Sequence, residues 1–284
     1  MKELLLLLKE RTEPLVLVTI SQSSGSTPRG KGARMLVGKG TDGAAVRLWG
    51  SIGGGLCEYR AIEEAGKILQ NRGAEPKAEL LKSYVLHPGE AADYGARCGG
   101  EITVSFRYIE AGDSGLREEI EKELASCGFV YIFGGGHIAQ ELVPLLTHLN
   151  FRCVVFDDRE DFSRPELFPG AEKIILGDFE HIEKSITLTE RDFAVIVTRG
   201  HEWDCEAWAF ALESPASYIG VIGSKTKHEF VKARLRERGF DDAVIVASRV
   251  HAPIGINIKS ETPAEIAVSI AAELISSRAN SHAP

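Results

Sequence analysis

A glycine-rich turn between an apolar strand and a helix constrains the fold of this chain more than any other feature. Residues 134–139 read GGGHIA, which fits the pattern G-x-G-x-x-A directly after the apolar run Val130–Phe133 and at the start of a predicted helix, Ile138–Leu149. In dinucleotide-binding βαβ units the first glycine permits a tight turn, the second lets a phosphate approach the backbone, and the final small residue lets the helix pack on the sheet. The next apolar run, Cys153–Phe156, leads into Asp157, at about the 20-residue spacing expected for an acid that binds a ribose. The sequence therefore predicts a nucleotide-binding unit in this half of the chain.

The nucleotide that this unit binds stays open at the level of the sequence. We assign Gly134, Gly136, His137 and Asp157 to the site. Asp157 favours an unphosphorylated ribose, whereas Arg159 could bind a 2′-phosphate, so NAD and NADP are both compatible with the pattern. A glycine turn that only shapes the fold is the alternative, since a fold by itself does not establish a ligand.

The chain has 284 residues, enough for about two domains, and its pattern changes near residue 110. Residues 1–110 predict a mixed α/β domain, and residues 111–127 predict a charged linker helix. Residues 128–276 predict a Rossmann-like, doubly wound parallel sheet, and residues 277–284 a frayed tail. In the first domain the predicted elements are strands Leu15–Ile20, Ala33–Val37, Ala45–Trp49 and Ile102–Ile109 and helix Glu58–Asn71. In the second domain the further predicted strands are Lys173–Leu176, Phe193–Val197, Tyr218–Ile222 and Ala243–Val246.

Charge and cysteine usage exclude several classes of partner. Lys and Arg number 33 against 41 Asp and Glu, a net charge of −8, so a general attraction to nucleic acid or an anionic membrane is not expected. The apolar run Leu4–Leu8 ends at Lys9, well short of a membrane span, and predicts a helix that docks on the fold. The five cysteines are dispersed, without Cys-x-x-Cys spacing, which disfavours iron–sulfur and zinc motifs and fits a reducing compartment. We therefore expect a cytoplasmic protein that binds neither nucleic acid nor membrane.

A second glycine-rich segment resembles a phosphate-binding loop but departs from it. Residues 25–31 read GSTPRGK and match the first seven positions of a P-loop, yet Gly32 replaces the hydroxyl residue that would hold magnesium. A strand follows instead of a helix, so a nucleotide triphosphatase is excluded. Arg29, Lys31 and Arg34 could still bind an anion together with backbone N–H groups. The alternative is a solvated hairpin.

Two cysteines are flanked by glycines. Residues 51–58 read SIGGGLCE and place Cys57 at a helix start, where the positive end of the helix lowers the pKa of a thiol. Residues 97–101 read RCGGE, which puts Cys98 beside a cation and next to glycines that admit a bulky ligand. An inert buried cysteine is the alternative at both positions.

A third group of polar residues follows a strand of the second domain. Residues 201–205 read HEWDC, with His and Cys four residues apart, but the further ligands of a zinc site are missing. Because a strand precedes His201, we expect this side chain to line the ligand-binding crevice at the carboxyl edge of the sheet. Residues 223–227 read GSKTK and predict a second anion site at a helix start.

Eight segments, read in order, resemble the xanthine dehydrogenase accessory family (XdhC/CoxI). They are SSGSTPRGKGARM, GSIGGGLCE, RCGGEITV, FGGGHIAQEL, VVFDDREDF, VTRGHEWD, YIGVIGSKTK and VHAPIGINIKSETPAEIAVSI, and they run from about Val16 to the last helix. The resemblance implies a molybdenum-cofactor chaperone, which binds the pterin cofactor, supports its sulfuration and delivers it to a xanthine dehydrogenase-type molybdenum hydroxylase. It also implies a homodimer and a cysteine desulfurase as a further partner.

The same resemblance implies roles for individual residues. Arg29, Lys31 and Arg34 would hold the phosphate of the cofactor, and Cys98 would contact the molybdenum or accept sulfur, as a soft thiolate can. Cys98 ranks above Cys57 because some members place the cysteine where this chain has Leu56, one position earlier. The nucleotide unit would take NAD(P), the cofactor's own nucleotide, or nothing. The implied cofactor-binding residues around the cysteines are Gly54, Gly55, Cys57, Glu58, Cys98, Gly99 and Gly100.

Two other functions compete with the chaperone. An NAD(P)-dependent oxidoreductase acting on a small molecule would use Asp157 on the ribose and His201 as acid–base, but no Tyr-x-x-x-Lys pair follows the glycine motif. A nucleotide sensor would leave the cysteine and glycine segments of the first domain unexplained. We therefore expect an accessory protein without turnover of its own.

Overall fold

The structure, a computed structural model, describes residues 2–71, 79–85 and 100–281. The chain divides into two compact units, residues 1–124 and residues 125–284. Cys98 and Gly99, which the sequence assigns to the cofactor site, lie outside the described residues.

The first unit is built on an antiparallel sheet of five strands in the order β3-β2-β1-β5-β4. Its strands are β1 Leu15–Ser24, β2 Arg34–Lys39, β3 Ala45–Gly50, β4 Leu80–Val85 and β5 Glu101–Ile109. Its helices are α1 Lys2–Glu10, α2 Gly55–Gln70 and α3 Gly115–Ser126. The mixed α/β character predicted for this half of the chain is confirmed. Strand β4 was not predicted, because most of its residues are exposed or half-buried and show no apolar run.

Alternate residues of β1 point to opposite faces of this sheet. Val16 and Val18 pack in one core with alanines of α2, whereas Leu17 packs in the other core with Leu4 of α1. Leu4 is completely buried, which confirms the predicted docking helix. Leu116 of α3 also belongs to the second core, so the helix that the sequence assigned to a linker contributes to the packing of the first unit.

The second unit contains six parallel strands in the order β11-β10-β9-β6-β7-β8. The strands are β6 Phe129–Phe133, β7 Arg152–Asp157, β8 Lys173–Leu176, β9 Phe193–Ile196, β10 Tyr218–Val221 and β11 Val250–His251. The helices are α4 His137–His148, α5 His201–Glu213, α6 Lys225–Glu237, α7 Asp242–Ile245 and α8 Pro263–Ser281. Helices α4 and α8 share a core on one face of the sheet, and α5 and α6 share a core on the other. This is the doubly wound Rossmann order, as predicted.

One predicted strand is wrong. The apolar run Ala243–Val246 forms most of the short helix α7, and the edge strand is β11 instead. Only Ile245 of α7 is buried, whereas Val246 is 61% exposed, so this run does not enter the sheet. Periodicity cannot separate a short apolar strand from a short helix. Across the described part of the chain, no helix has both the length and the apolar character needed to span a membrane.

Candidate functional site

The order of strands reverses between β6 and β9, and this is where an open parallel sheet binds ligands. The loops that follow these two strands touch at Gly134. Its φ is +108°, and a Cβ atom there would lie 2.6 Å from the carbonyl oxygen of Val197 and 2.8 Å from Cα of Thr198. Only glycine fits this position, as the glycine motif predicts.

The start of α4 is open. Gly136 precedes the helix without a side-chain cap, nothing lies within 4 Å of where its Cβ would be, and His137 is exposed. Helix starts favour anions, because their first N–H groups have no partner within the helix. Gly136 and His137 therefore lie where a phosphate could approach.

Asp157 ends β7, at the position predicted for the acid that binds a ribose. Both oxygens of its carboxylate accept hydrogen bonds from neighbouring residues of the same unit. Oδ2 accepts hydrogen bonds from the N–H of Gly135 at 2.7 Å and from Nη2 of Arg159 at 2.9 Å. Oδ1 accepts from the backbone N–H of Arg159 at 3.0 Å and from its Nε at 2.8 Å.

The ion pair between Asp157 and Arg159 keeps the acid charged. Burial alone would raise the pKa of Asp157, but the hydrogen bonds from Arg159 and Gly135 outweigh it and hold the pKa below its ordinary value. The same pairing raises the pKa of Arg159. Both groups are therefore ionised near neutral pH, and each neutralises the other.

A buried acid of the HEWDC segment, Asp204, joins the loop after β9 to α5 and α6. Thr198 donates a hydrogen bond of 2.6 Å to Oδ1 of Asp204, and Nζ of Lys227 on α6 pairs with Oδ2. Asp204 is completely buried, and burial raises its pKa in spite of these partners. The sequence places Asp204 in the HEWDC segment but does not show its pairing with Lys227, because that residue belongs to α6.

His201 begins α5 and is exposed, with its ring edge-to-face against Phe230 at 5.1 Å between centroids. The neighbouring Cys205 is buried, and its sulfur lies 3.8 Å from Nη1 of Arg238. Within residues 2–71, 79–85 and 100–281, no group of three His, Cys, Asp or Glu side chains could hold a metal ion. Because α5 starts directly after the loop that follows β9, the HEWDC segment lies at the carboxyl edge of the sheet, as predicted.

In the first unit, one acid holds a glycine turn together. Gly53, Gly54 and Gly55 have φ values of +122°, +75° and +65°, which favour glycine at all three positions. Glu58 accepts hydrogen bonds from the backbone N–H of Ile52 at 3.1 Å and of Gly54 at 3.2 Å. The same carboxylate accepts from Oγ of Ser51 at 2.6 Å and from Nη1 of Arg47 at 2.8 Å.

Three glycine-containing segments meet at one corner of the first unit. A Cβ atom at Gly53 would lie 2.7 Å from Cβ of Pro28, and one at Gly100 would lie 2.5 Å from the carbonyl oxygen of Ser24. Beside Gly54 and Gly55, by contrast, nothing lies within 4 Å of the corresponding positions. We call residues 24–29, residues 53–55 and Gly100 the glycine corner.

The three cations assigned to phosphate binding have different surroundings. Arg29 and Lys31 are exposed on the loop before β2. Arg34 instead donates a hydrogen bond of 2.7 Å to Glu123, a residue of α3. Residues of β2 alternate between faces, and the side chain of Arg34 pairs on the α3 face, away from Arg29 and Lys31, so its assignment to phosphate binding stays a prediction.

Cys57 is half-buried and packs against the core beneath α2. Burial raises its pKa to about 11, and Arg60 offsets this only in part. The expected lowering by the helix start is wrong here, since desolvation of the thiolate dominates.

We predict that Cys57 in the folded protein reacts with iodoacetamide at least roughly 10-fold more slowly than in the urea-unfolded protein at about pH 8.5, because only the thiolate reacts. Peptide mass spectrometry after timed quenching gives both rates for this one cysteine. Equal rates in the folded and unfolded protein would show that burial does not keep the thiol of Cys57 protonated.

Two family models match the chain. The model described as the XdhC Rossmann domain covers residues 130–274, and the model of the XdhC and CoxI family covers residues 8–84.

Similar proteins occur in two bacteria. The uncharacterized protein YqeB of Escherichia coli (strain K12) is 32% identical over 274 residues, which are 96% of this chain and 45% of that protein. A probable xanthine dehydrogenase subunit from Bacillus subtilis (strain 168) is 28% identical over 147 residues, which are 52% of this chain and 42% of that protein. The chain thus spans less than half the length of these relatives.

A solved structure has the same fold. The crystal structure of a xanthine dehydrogenase from Bacillus halodurans superposes with a TM-score of 0.77 and 24% identity, covering 99% of this chain and 97% of that chain.

Proposed function

Because this chain belongs to the XdhC and CoxI family, we propose that it assists the maturation of a xanthine dehydrogenase-type molybdenum hydroxylase. In this proposal the protein binds the molybdenum cofactor as cargo, supports its sulfuration and transfers it to the client enzyme. The family of the chain and the name of its Bacillus subtilis relative support the client. A cysteine desulfurase as the source of sulfur and a homodimer are parts of the same proposal.

The observation that carries the proposal is the glycine corner of the first unit. A bulky pterin needs backbone without side chains, and the space beside Gly54 and Gly55 is open. Glu58 already uses the N–H groups of Ile52 and Gly54, so positive charge for a phosphate has to come from elsewhere. Arg29 is exposed and belongs to the same corner, and Lys31 is exposed two residues further along the loop.

Cys98 is the proposed contact for the molybdenum or acceptor of sulfur. It precedes Gly100 by two residues, and Gly100 packs against the loop at Ser24 and Ser26. A soft thiolate suits a molybdenum–sulfur centre, whereas the half-buried thiol of Cys57 is held protonated.

The proposal is tested by purifying the protein from a host that makes the cofactor and measuring its molybdenum and pterin content. Added to the apo form of a molybdenum hydroxylase, the loaded protein should raise the activity of that enzyme in proportion to the cofactor transferred. The proposal fails if the purified chain carries no pterin. It also fails if the chain oxidises a small substrate over many turnovers with NAD alone and His201→Ala abolishes that rate.

We predict that Cys98→Ala lowers cofactor retention by about 10-fold or more while the melting temperature stays unchanged, because the proposed contact to the metal is lost. Molybdenum per protein, measured by mass spectrometry, gives the retention. Cys127→Ala, which removes an exposed cysteine beyond the first unit, is the matched control and should retain cofactor as the parent does. Equal retention in all three proteins would show that Cys98 does not hold the cofactor.

A further inference from the structure

The acid that should bind a ribose in the second unit has no oxygen left for it. An ionised carboxylate offers about four positions for hydrogen-bond donors. On Asp157 they are taken by the N–H of Gly135, the backbone N–H of Arg159, and Nε and Nη2 of Arg159. Asp157 is only 1% exposed, so a ribose hydroxyl cannot reach it unless Arg159 moves.

Arg159 is itself held in place from two sides. Its guanidinium carbon lies 3.7 Å from the ring centroid of Phe162, a stacking contact that stabilises both side chains. The segment that carries Phe162 folds back onto the glycine turn, since a Cβ atom at Gly135 would lie 2.3 Å from the carbonyl oxygen of Phe162. Nearby, Asp158 pairs with Arg199 of the loop after β9 at 2.8 Å.

The cation that could meet a 2′-phosphate is already neutralised. The charge of Arg159 is balanced by Asp157 at 2.8 Å, and Asp158 lies 3.9 Å from the same Nε. Because Asp157 already balances the charge of Arg159, this arginine has little net positive charge to offer a 2′-phosphate.

We propose that Arg159 occupies the ribose-diol subsite of the second unit and is the residue that excludes NAD-type dinucleotides from it. Asp157 is then a positioning residue, which fixes Arg159 and the N–H of Gly135. This inference goes beyond the proposed function and does not rest on it.

The test is calorimetric titration of the full-length protein and its Arg159→Ala variant with NAD⁺. Removing the side chain frees two of the positions on the Asp157 carboxylate, while the N–H groups of Gly135 and residue 159 remain. We expect NAD⁺ to bind roughly 10- to 100-fold more tightly to the variant than to the parent, as expected for a hydrogen bond to a charged group. The double variant Arg159→Ala/Asp157→Asn should lose most of this gain.

Arg164→Ala is the matched control. Arg164 is an exposed arginine of the same segment that donates to the carbonyl oxygen of Asp161, so its loss should leave NAD⁺ binding as weak as in the parent. The inference is overturned if Arg159→Ala binds NAD⁺ no better than the parent. If that variant does not fold, titration of the parent decides: tight NAD⁺ binding that Asp157→Asn weakens would equally overturn it.

Discussion

Glu58→Ala is expected to lower the free energy of unfolding of the first unit by about 3 kcal/mol, because it leaves several donors around a buried position without their acceptor. Glu58 is 8% exposed and accepts from Arg47, Ser51 and the backbone of the turn before α2. Hydrogen–deuterium exchange of β1 peptides across a urea series reports the stability of this unit. Glu63→Ala, at an exposed position of the same helix, should change it by less than about 0.5 kcal/mol.

The same acid gives the first unit an acid-sensitive component of stability. Burial raises the pKa of Glu58, but the hydrogen bonds from Ser51, Gly54 and Ile52, together with Arg47, lower it more, so the net pKa lies below its ordinary value. A carboxyl with a lowered folded pKa stabilises above its unfolded pKa and loses that contribution as pH falls through the folded value. Glu58→Gln should therefore differ most from the parent above about pH 4.5 and converge with it in stronger acid. A constant difference at every pH would contradict this role.

If the glycine corner holds the cofactor, loss of Glu58 should also reduce cofactor retention. Glu58 itself offers no free oxygen that points to a ligand, since both of its oxygens accept hydrogen bonds from its own unit. Its contribution is to keep Gly54 and Gly55 in the left-handed conformation that leaves the space beside them open. The sequence assigned Glu58 to the site, and within the proposal this residue shapes the turn and does not contact the cofactor.

Local spacing predicted the position of Asp157 but not its partner. The G-x-G-x-x-A turn and an acid at the end of the next strand follow from the geometry of a βαβ unit, which a single sequence displays. Whether the acid faces a ligand depends on how the segment around Phe162 returns to Gly135, and that return is a tertiary contact. The sequence shows Arg159 as a cation near the site, but it does not show that Nε and Nη2 of this arginine donate to the two oxygens of Asp157.

The alternation of residues along β2 indicates the surroundings of Arg34. Residues of a strand alternate between faces, and Leu36 packs in the core formed with α1 and α3. Arg34 has the same parity as Leu36, which puts its side chain on that face and next to Glu123. The period of two could therefore have separated Arg34 from Arg29 and Lys31, which precede the strand.

Gly134 and Gly136 of the glycine motif have different surroundings, so alanine at the two positions should have different effects on stability. Gly134→Ala should destabilise the second unit by about 3–5 kcal/mol, since it combines an unfavourable positive φ with a clash against the backbone of Val197 and Thr198. Gly136 has a φ of −70° and open space around it, so Gly136→Ala should cost less than about 1 kcal/mol. Urea unfolding followed by hydrogen exchange of β6 and β9 peptides measures both. If a phosphate-bearing ligand binds at the start of α4, a Cβ atom at Gly136 would stand in its way, so Gly136→Ala should weaken that ligand while leaving the stability of the unit intact. Equal stability losses in the two variants would contradict this difference and show that the backbone is constrained at both glycines.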